Sequence, residues 1–379
     1  VTGKQAVGAI VWANRDDARL SPMAVLRPAG QALLVVLGLH VLALSMLFVF
    51  VLPGHFQVNG KLFGIGLALT AYILGVRHAF DADHIAAIDN TTRKLVGENR
   101  RATSVGLFFS LGHSTVVFVL ALLLAVGAKV ASALVSDDST VHQTLGLVGT
   151  AISGIFLILI GIVNLLALIG IVNLWRSARS GGMDEIALEH ALNSRGLLTR
   201  LLGPLLRRIS RPGQMYAIGL LFGLGFDTAT EVSLLVLAGA GAATGLPWYA
   251  VMVLPLLFAA GMSLCDTIDG AVMHAAYQWA FIGPVRKVYY NITTTGLSVV
   301  VALLIGGIEI LSLLHQKLNW TDQITSWIST LTLDSIGYLV VGLFLTLWLG
   351  SMLYWRLANV EHRWTAQLEP RPGNETDSS

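Results

Sequence analysis

Charge is scarce in this chain. Asp, Glu, Lys and Arg make up 12% of its 379 residues, against roughly 25% in a soluble domain. So little charge cannot clothe a soluble surface of that size. The 55% hydrophobic content fits a bilayer solvent, where about 20 apolar residues make one span. Cysteine is nearly absent. Cys265 stands alone, which excludes an intrachain disulfide and a Cys-based zinc cluster. The net charge of +2 gives no basis for a nucleic-acid partner. Residues 1–30 carry Lys4, Arg15, Arg19 and Arg27 and lack a cleavable signal-peptide pattern. No H-E-x-x-H occurs, the pattern that pairs zinc ligands with a general base in a metalloprotease. The Glu-His pairs present are Glu189-His190 in a loop and Glu361-His362 near the tail.

Eight apolar segments remain: 31–53, 62–89, 104–130, 145–173, 214–239, 247–278, 289–314 and 331–357. All eight read as helices, because unpaired backbone in lipid is too costly. Barrel strands would show ten-residue alternating segments instead. Basic residues fall in every second link. They include Arg93, Lys94, Arg100 and Arg101 after the second segment, seven arginines from Arg176 to Arg211 after the fourth, Arg286 and Lys287 after the sixth, and Arg356, Arg363 and Arg371 after the eighth. The alternate links hold only Lys61, Lys129 and Lys317. The positive-inside rule then predicts an all-α polytopic membrane protein of eight transmembrane helices with both termini in the cytoplasm. Residues 1–30 form a cytoplasmic segment and 31–357 the transmembrane domain. The cytoplasmic loop 174–213 is partly helical at most, and 358–379 is a disordered tail. Nothing in the sequence specifies a subunit number.

Against this background one stretch is out of place. "RHAFDADHIAAID", residues 77–89, packs Arg77, two histidines and three aspartates into the cytoplasm-proximal half of the second segment. At 100° per residue, His78, Asp81 and His84 share roughly a 120° arc of one helix face. Asp89 returns to the angle of His78. Asp83 points elsewhere, either toward a second partner such as Arg77 or because the helix is distorted. Imidazole with carboxylate is the ligand mix for a borderline divalent transition metal. Carboxylates also offset the ion's charge and orient ligand histidines. A structural role suits a single such residue better than six.

Other segments add to it. The third holds His113, flanked by Ser110, Ser114 and Thr115 as candidate donors to the ligands. The fifth holds Asp227 and Glu231 on one face, and the sixth holds Asp266 and Asp269. Neither has a basic residue to pair them, so they need protons, metal or a partner such as Arg77. The first contributes His40. A faint repeat links the halves. "AFDADHI" (79–85) resembles "GFDTATEV" (225–232), and "SLGHST" (110–115) resembles "AAGMSL" (259–264). The matched segments, second with fifth and third with sixth, run in opposite directions, as in an inverted-topology repeat whose substrate site lies where the halves meet.

"RHAFDADHIAAIDNTTRK" resembles the signature of the nickel/cobalt transporter family, whose hallmark is His, four residues, then Asp-His: here His78, Asp83 and His84. "FFSLGHSTVV", "LGFDTATEV" and "GMSLCDTIDG" resemble the family's other motifs, in family order, over about residues 60–300. The resemblance implies an eight-span secondary permease of a bacterial-type plasma (inner) membrane that takes up Ni²⁺, Co²⁺ or both. The metal is then substrate, not cofactor, and no ATPase subunit is expected. In agreement, the chain has no G-x-x-x-x-G-K-[ST] phosphate loop. The family's important positions carry over to His78, Asp81, Asp83, His84, His113, Asp227, Glu231, Asp266 and Asp269.

The expected site is His78 and His84 on the metal, with Asp81 or Asp83 and His113 completing the shell and His40 approaching from the first segment. Asp227, Glu231, Asp266 and Asp269 form the opposed half or a proton-linked gate, with Arg77 and Asp89 along the route. The competing readings are a carrier of another cation, such as Zn²⁺ or Mn²⁺, a cation/proton exchanger, an intramembrane metalloenzyme and a haem-binding electron carrier. The dense carboxylates argue against haem.

Overall fold

A computed structural model describes residues 22–58, 60–98, 100–126, 140–181, 210–224, 229–280, 288–331 and 333–357. Helix α1 runs Pro22–Met46 and continues through a π-turn at Leu47–Val51. A two-rung antiparallel ladder follows, β1 (Gln57–Val58) with β2 (Lys61–Leu62). Then come α2 (Ile65–His78), α3 (Ala82–Gly97), α4 (Val105–Ala125) and α5 (Thr140–Gly181). The second half holds α6 (Met215–Phe222), α7 (Ala229–Ala243), α8 (Trp248–Val251), α9 (Val253–Ala280), α10 (Gly296–Leu318), α11 (Gln323–Ser329) and α12 (Leu333–Leu357). The protein is an all-α polytopic membrane protein.

Among the described residues, six stretches are long and apolar enough to cross a bilayer: Gly30–Gly54, Val105–Ala125, Gly146–Ser177, Trp248–Gln278, Val288–Leu318 and Gly337–Trp355. Ile65–His78 and Ser233–Ala243 are shorter apolar helices. The second and fifth segments of the sequence are therefore the interrupted ones. α1 presents Leu34 and Val41 outward, and its π-turn Phe48 and Val49, as a lipid-facing helix does. α5 carries its helix to Gly181, into the long basic link, whose residues 182–209 lie outside the described ones.

The second segment is not the continuous helix expected over 62–89. α2 stops at His78, and Asp81 takes an extended conformation (φ −65°, ψ 142°) as the N-cap of α3. The turn is closed by Phe80 N–H to Arg77 C=O and Asp81 N–H to His78 C=O. Asp81 holds the N-cap position without a side-chain capping bond to the helix, its carboxylate turning to His78 Nδ1 instead. A break at membrane depth is tolerated only where protein covers it. Here α12 covers it. Gly337 rests against the Phe80 carbonyl, and Tyr338 stacks on Phe80 with ring centroids 5.5 Å apart.

Four glycines set how the halves meet. A Cβ on Gly75 of α2 would strike the carbonyl of Phe258 in α9, and one on Gly261 of α9 would strike the carbonyl of Tyr72 in α2. Gly219 of α6 and Gly112 of α4 repeat the arrangement, against the carbonyls of Phe109 and Tyr216. The sequence repeats with it. Tyr72-Ile-Leu-Gly75 matches Tyr216-Ala-Ile-Gly219, and Phe258-Ala-Ala-Gly261 matches Phe109-Ser-Leu-Gly112. The leading half of each interrupted segment thus packs on the uninterrupted helix of the other repeat.

Candidate metal centre

The break delivers chemistry to the interior. His78 is the last residue of α2 and His84 lies in the first turn of α3, so both rings enter the same space. His113 reaches it from mid-α4 and Glu231 from the first turn of α7. All four side chains are buried. One ring nitrogen from each histidine lies within 4.8 Å of the others. His78 Nε2 is 2.8 Å from His113 Nε2, which is 2.6 Å from Glu231 Oε1. Two nitrogens on one first-row divalent ion, each at about 2.1 Å, sit roughly 3 Å apart. The cluster is therefore near liganding distance already.

The surroundings fit a cation. Asp81 Oδ2 lies 2.7 Å from His78 Nδ1, a close charge contact rather than an aligned hydrogen bond. It turns Nε2 toward the centre. Asp266 Oδ2 stands 3.4 Å from His84 Nδ1 in the same way. The carbonyl end of α2 faces the site and favours positive charge. The start of α3 opposes it, and the carboxylates of Asp81 and Asp83 offset that end. Asp83 accepts the backbone N–H of His84 at 3.0 Å. Phe258 lies over His78 at 5.5 Å between centroids, and Phe109 meets His84 edge-on at 4.7 Å. These walls hold the rings and exclude water, which strengthens every charge contact inside. Among the described residues, neither ring nitrogen of His84 has a hydrogen-bond partner. A buried polar atom left so costs about 1–3 kcal/mol, which an arriving ligand ion would relieve.

His40 stays on α1, with Nδ1 on the Val36 carbonyl (2.8 Å) and Nε2 on the Tyr72 hydroxyl (3.2 Å), outside the histidine cluster. Arg77 lies on the exposed side of α2 while Asp266 is buried. Ser110 bonds Ser263 at 3.1 Å, and Thr115 meets the Tyr216 hydroxyl at 3.0 Å. Both join helices and leave the imidazoles alone. Glu231, expected in the opposed half of the site or a gate, stands 2.6 Å from His113 Nε2, reaching it from α7 of the second repeat. Asp269 lies one turn beyond Asp266 on α9, half-buried. Asp89 sits in a separate polar layer, gripped by Tyr277 and Ser298. Asp227 falls outside the described residues. The sequence reading missed Phe109, Phe258, Tyr277 and Ser298, which periodicity alone does not distinguish from packing residues.

The Asp81 contact makes a prediction. Asp81→Asn is expected to weaken apparent metal affinity by about 10–100-fold, the usual effect of losing a carboxylate behind a ligand histidine. The check is KM for metal uptake at equal protein abundance.

Residues 64–354 match the family described as high-affinity nickel-transport protein. The chain belongs to that family. Among its relatives, nickel transporter NicT of Mycobacterium tuberculosis is 53% identical, covering 89% of this chain and 91% of the relative. Nickel transporter NixA of Staphylococcus aureus is 45% identical, covering 87% and 95%. Cobalt transport protein NhlF of Rhodococcus rhodochrous is 43% identical, covering 83% and 89%. No solved structure matches. As a member of a family of transporters, the chain is a carrier and not an enzyme.

Proposed function

We propose that this member of the family is a secondary carrier that takes up Ni²⁺, Co²⁺ or both into the cytoplasm across a bacterial-type inner membrane. The observation that carries the reading is the buried triad of His78, His84 and His113, with ring nitrogens within 4.8 Å of one another and Glu231 against it. In this reading the three imidazoles and the Glu231 carboxylate bind the ion. Asp81 and Asp266 orient His78 and His84, and Asp83 balances the start of α3. Asp269 and Asp89 lie along the exit, with Asp227 in the opposed half. His40 and Arg77 have no place on the metal. Both termini and the 174–213 link are cytoplasmic, flanking a transport domain over 31–357.

The energetics suffice. A divalent ion entering a negative-inside cell gains roughly 4.6 kcal/mol per 100 mV, twice the single-charge figure. That is about 10³-fold accumulation from membrane potential alone. Nitrogen and carboxylate donors without thiolate suit Ni²⁺ or Co²⁺ rather than Cu(I).

The test is radioactive nickel uptake at nanomolar metal by cells expressing the chain, with excess cobalt, zinc or manganese as competitor. Uptake above empty cells that cobalt suppresses and zinc does not is the expected result. Suppression by zinc or manganese alone would transfer the assignment to that ion.

A further inference from the structure

On the cytoplasmic side of the metal centre lies a second buried polar layer. Asp89 is five residues beyond His84 on α3 and wholly enclosed. Its two carboxylate oxygens each accept a hydroxyl, Oδ1 from Tyr277 of α9 and Oδ2 from Ser298 of α10. One turn further, Arg93 Nη1 donates to Thr295 Oγ1 at 3.0 Å, just before α10. Beside it, Asn164 of α5 donates to Asn90 Oδ1 at 2.6 Å. Four helices are thus tied by polar bonds as well as by the apolar cluster around Ile88, Leu95, Leu157 and Leu297.

The opposite side is sealed differently. There Val116, Val117, Leu234, Leu235, Leu254 and Phe258 belong to one apolar cluster. Apolar packing has no directional bonds to break. The cytoplasmic layer adds a set of discrete bonds between helices, and a carboxylate that has lost its hydroxyls presents oxygen donors to a passing cation. An ion leaving the histidines for the cytoplasm must pass this depth.

We propose that the Asp89–Tyr277–Ser298 joint is the cytoplasmic gate. This rests on the uptake function proposed above. With the joint made, α3, α9 and α10 are closed below the metal centre. With the hydroxyls withdrawn, the helices part and Asp89 faces the exit route. Tyr277 and Ser298 act as positioning residues that set the balance between closed and inward-open states.

Tyr277→Phe keeps the ring and removes one strand of the joint. A carrier that spends less time ready to receive metal from outside shows an apparent affinity reduced by that fraction. The expected result is a rise of about tenfold in KM for nickel with maximal rate per molecule kept or increased. A merely structural lesion would lower rate and abundance together. Gate opening is read without metal by Thr92→Cys in a Cys265→Ala chain. Thr92 is buried one turn below Asp89 on α3, and its hydroxyl has no hydrogen-bond partner. In inside-out vesicles an impermeant maleimide should spare this cysteine when Tyr277 is intact and label it when Tyr277 is Phe. Ser298→Ala supplies the same comparison if the tyrosine variant is poorly folded. Unchanged KM with the cysteine still protected, in well-folded variants, would overturn the gate. A parent chain that carries neither nickel nor cobalt would sink the uptake reading instead, while the labelling arm would still judge the gate.

Discussion

Replacing His84 by alanine is expected to reduce nickel uptake at nanomolar metal to the level of cells lacking the protein. Losing a group behind a ligand costs about 10–100-fold in affinity, and losing a ligand itself costs more. A second variant separates this from misfolding. His84 is wholly buried and packs edge-on against Phe109, so His84→Ala leaves a cavity and should lower the unfolding temperature of the metal-free protein. His84→Leu fills most of that space without a ligand nitrogen, and should lose uptake equally while unfolding closer to the parent temperature. His113→Ala should abolish uptake too, but it also removes the 2.6 Å partner of Glu231 and should lower stability. His40→Ala should keep uptake within a few-fold of the parent, since its ring bonds Val36 and Tyr72. Full uptake by His84→Ala at equal abundance would dismiss the triad as the binding site.

The second large effect is expected at the helix crossings. Gly75→Val and Gly112→Val place side-chain atoms where the carbonyls of Phe258 and Tyr216 now sit. Overpacking a core costs about 1–3 kcal/mol, occasionally more. Backbone cannot swing aside as a side chain can, so these two variants belong at the upper end. Little monodisperse protein should survive detergent extraction and size exclusion. Gly38 and Gly146 have open space where a Cβ would go, and their alanine variants should extract like the parent. Normal recovery of Gly75→Val would mean that α2 and α9 are not held in this contact.

What the sequence disclosed divides along a physical line. Composition located the six uninterrupted apolar helices, because the hydrophobic requirement of a span is a property of one segment at a time. The His-Asp stretch was conspicuous for the same reason. The interruption at Ala79–Asp81 was hidden because a continuous helix also puts His78, Asp81 and His84 on one face. The telling signal was Asp81 followed by Asp83, a cap and a first-turn acid. That Glu231 meets His113 in particular could not be read, since periodicity gives a helix's own faces and not the neighbour each one meets. Residue type alone made His40 a candidate, and the Tyr72 hydroxyl at its ring could not be read from the sequence. Tyr277 and Ser298 were passed over because isolated hydroxyls are common in membrane helices.

The reciprocal glycine contacts bear on how the protein is made. α2 and α4 emerge from the ribosome first, yet Gly75 and Gly112 find their facing carbonyls only in α9 and α6. During synthesis the first repeat must wait in lipid with its contact surfaces open. Its three histidines are present by then, but Glu231 arrives only with α7. Folding of the centre is thus postponed until nearly three-quarters of the chain, through α9, has been inserted. A ribosome stalled within the 174–213 link would leave a membrane-embedded half whose exposed glycine faces invite the quality-control protease.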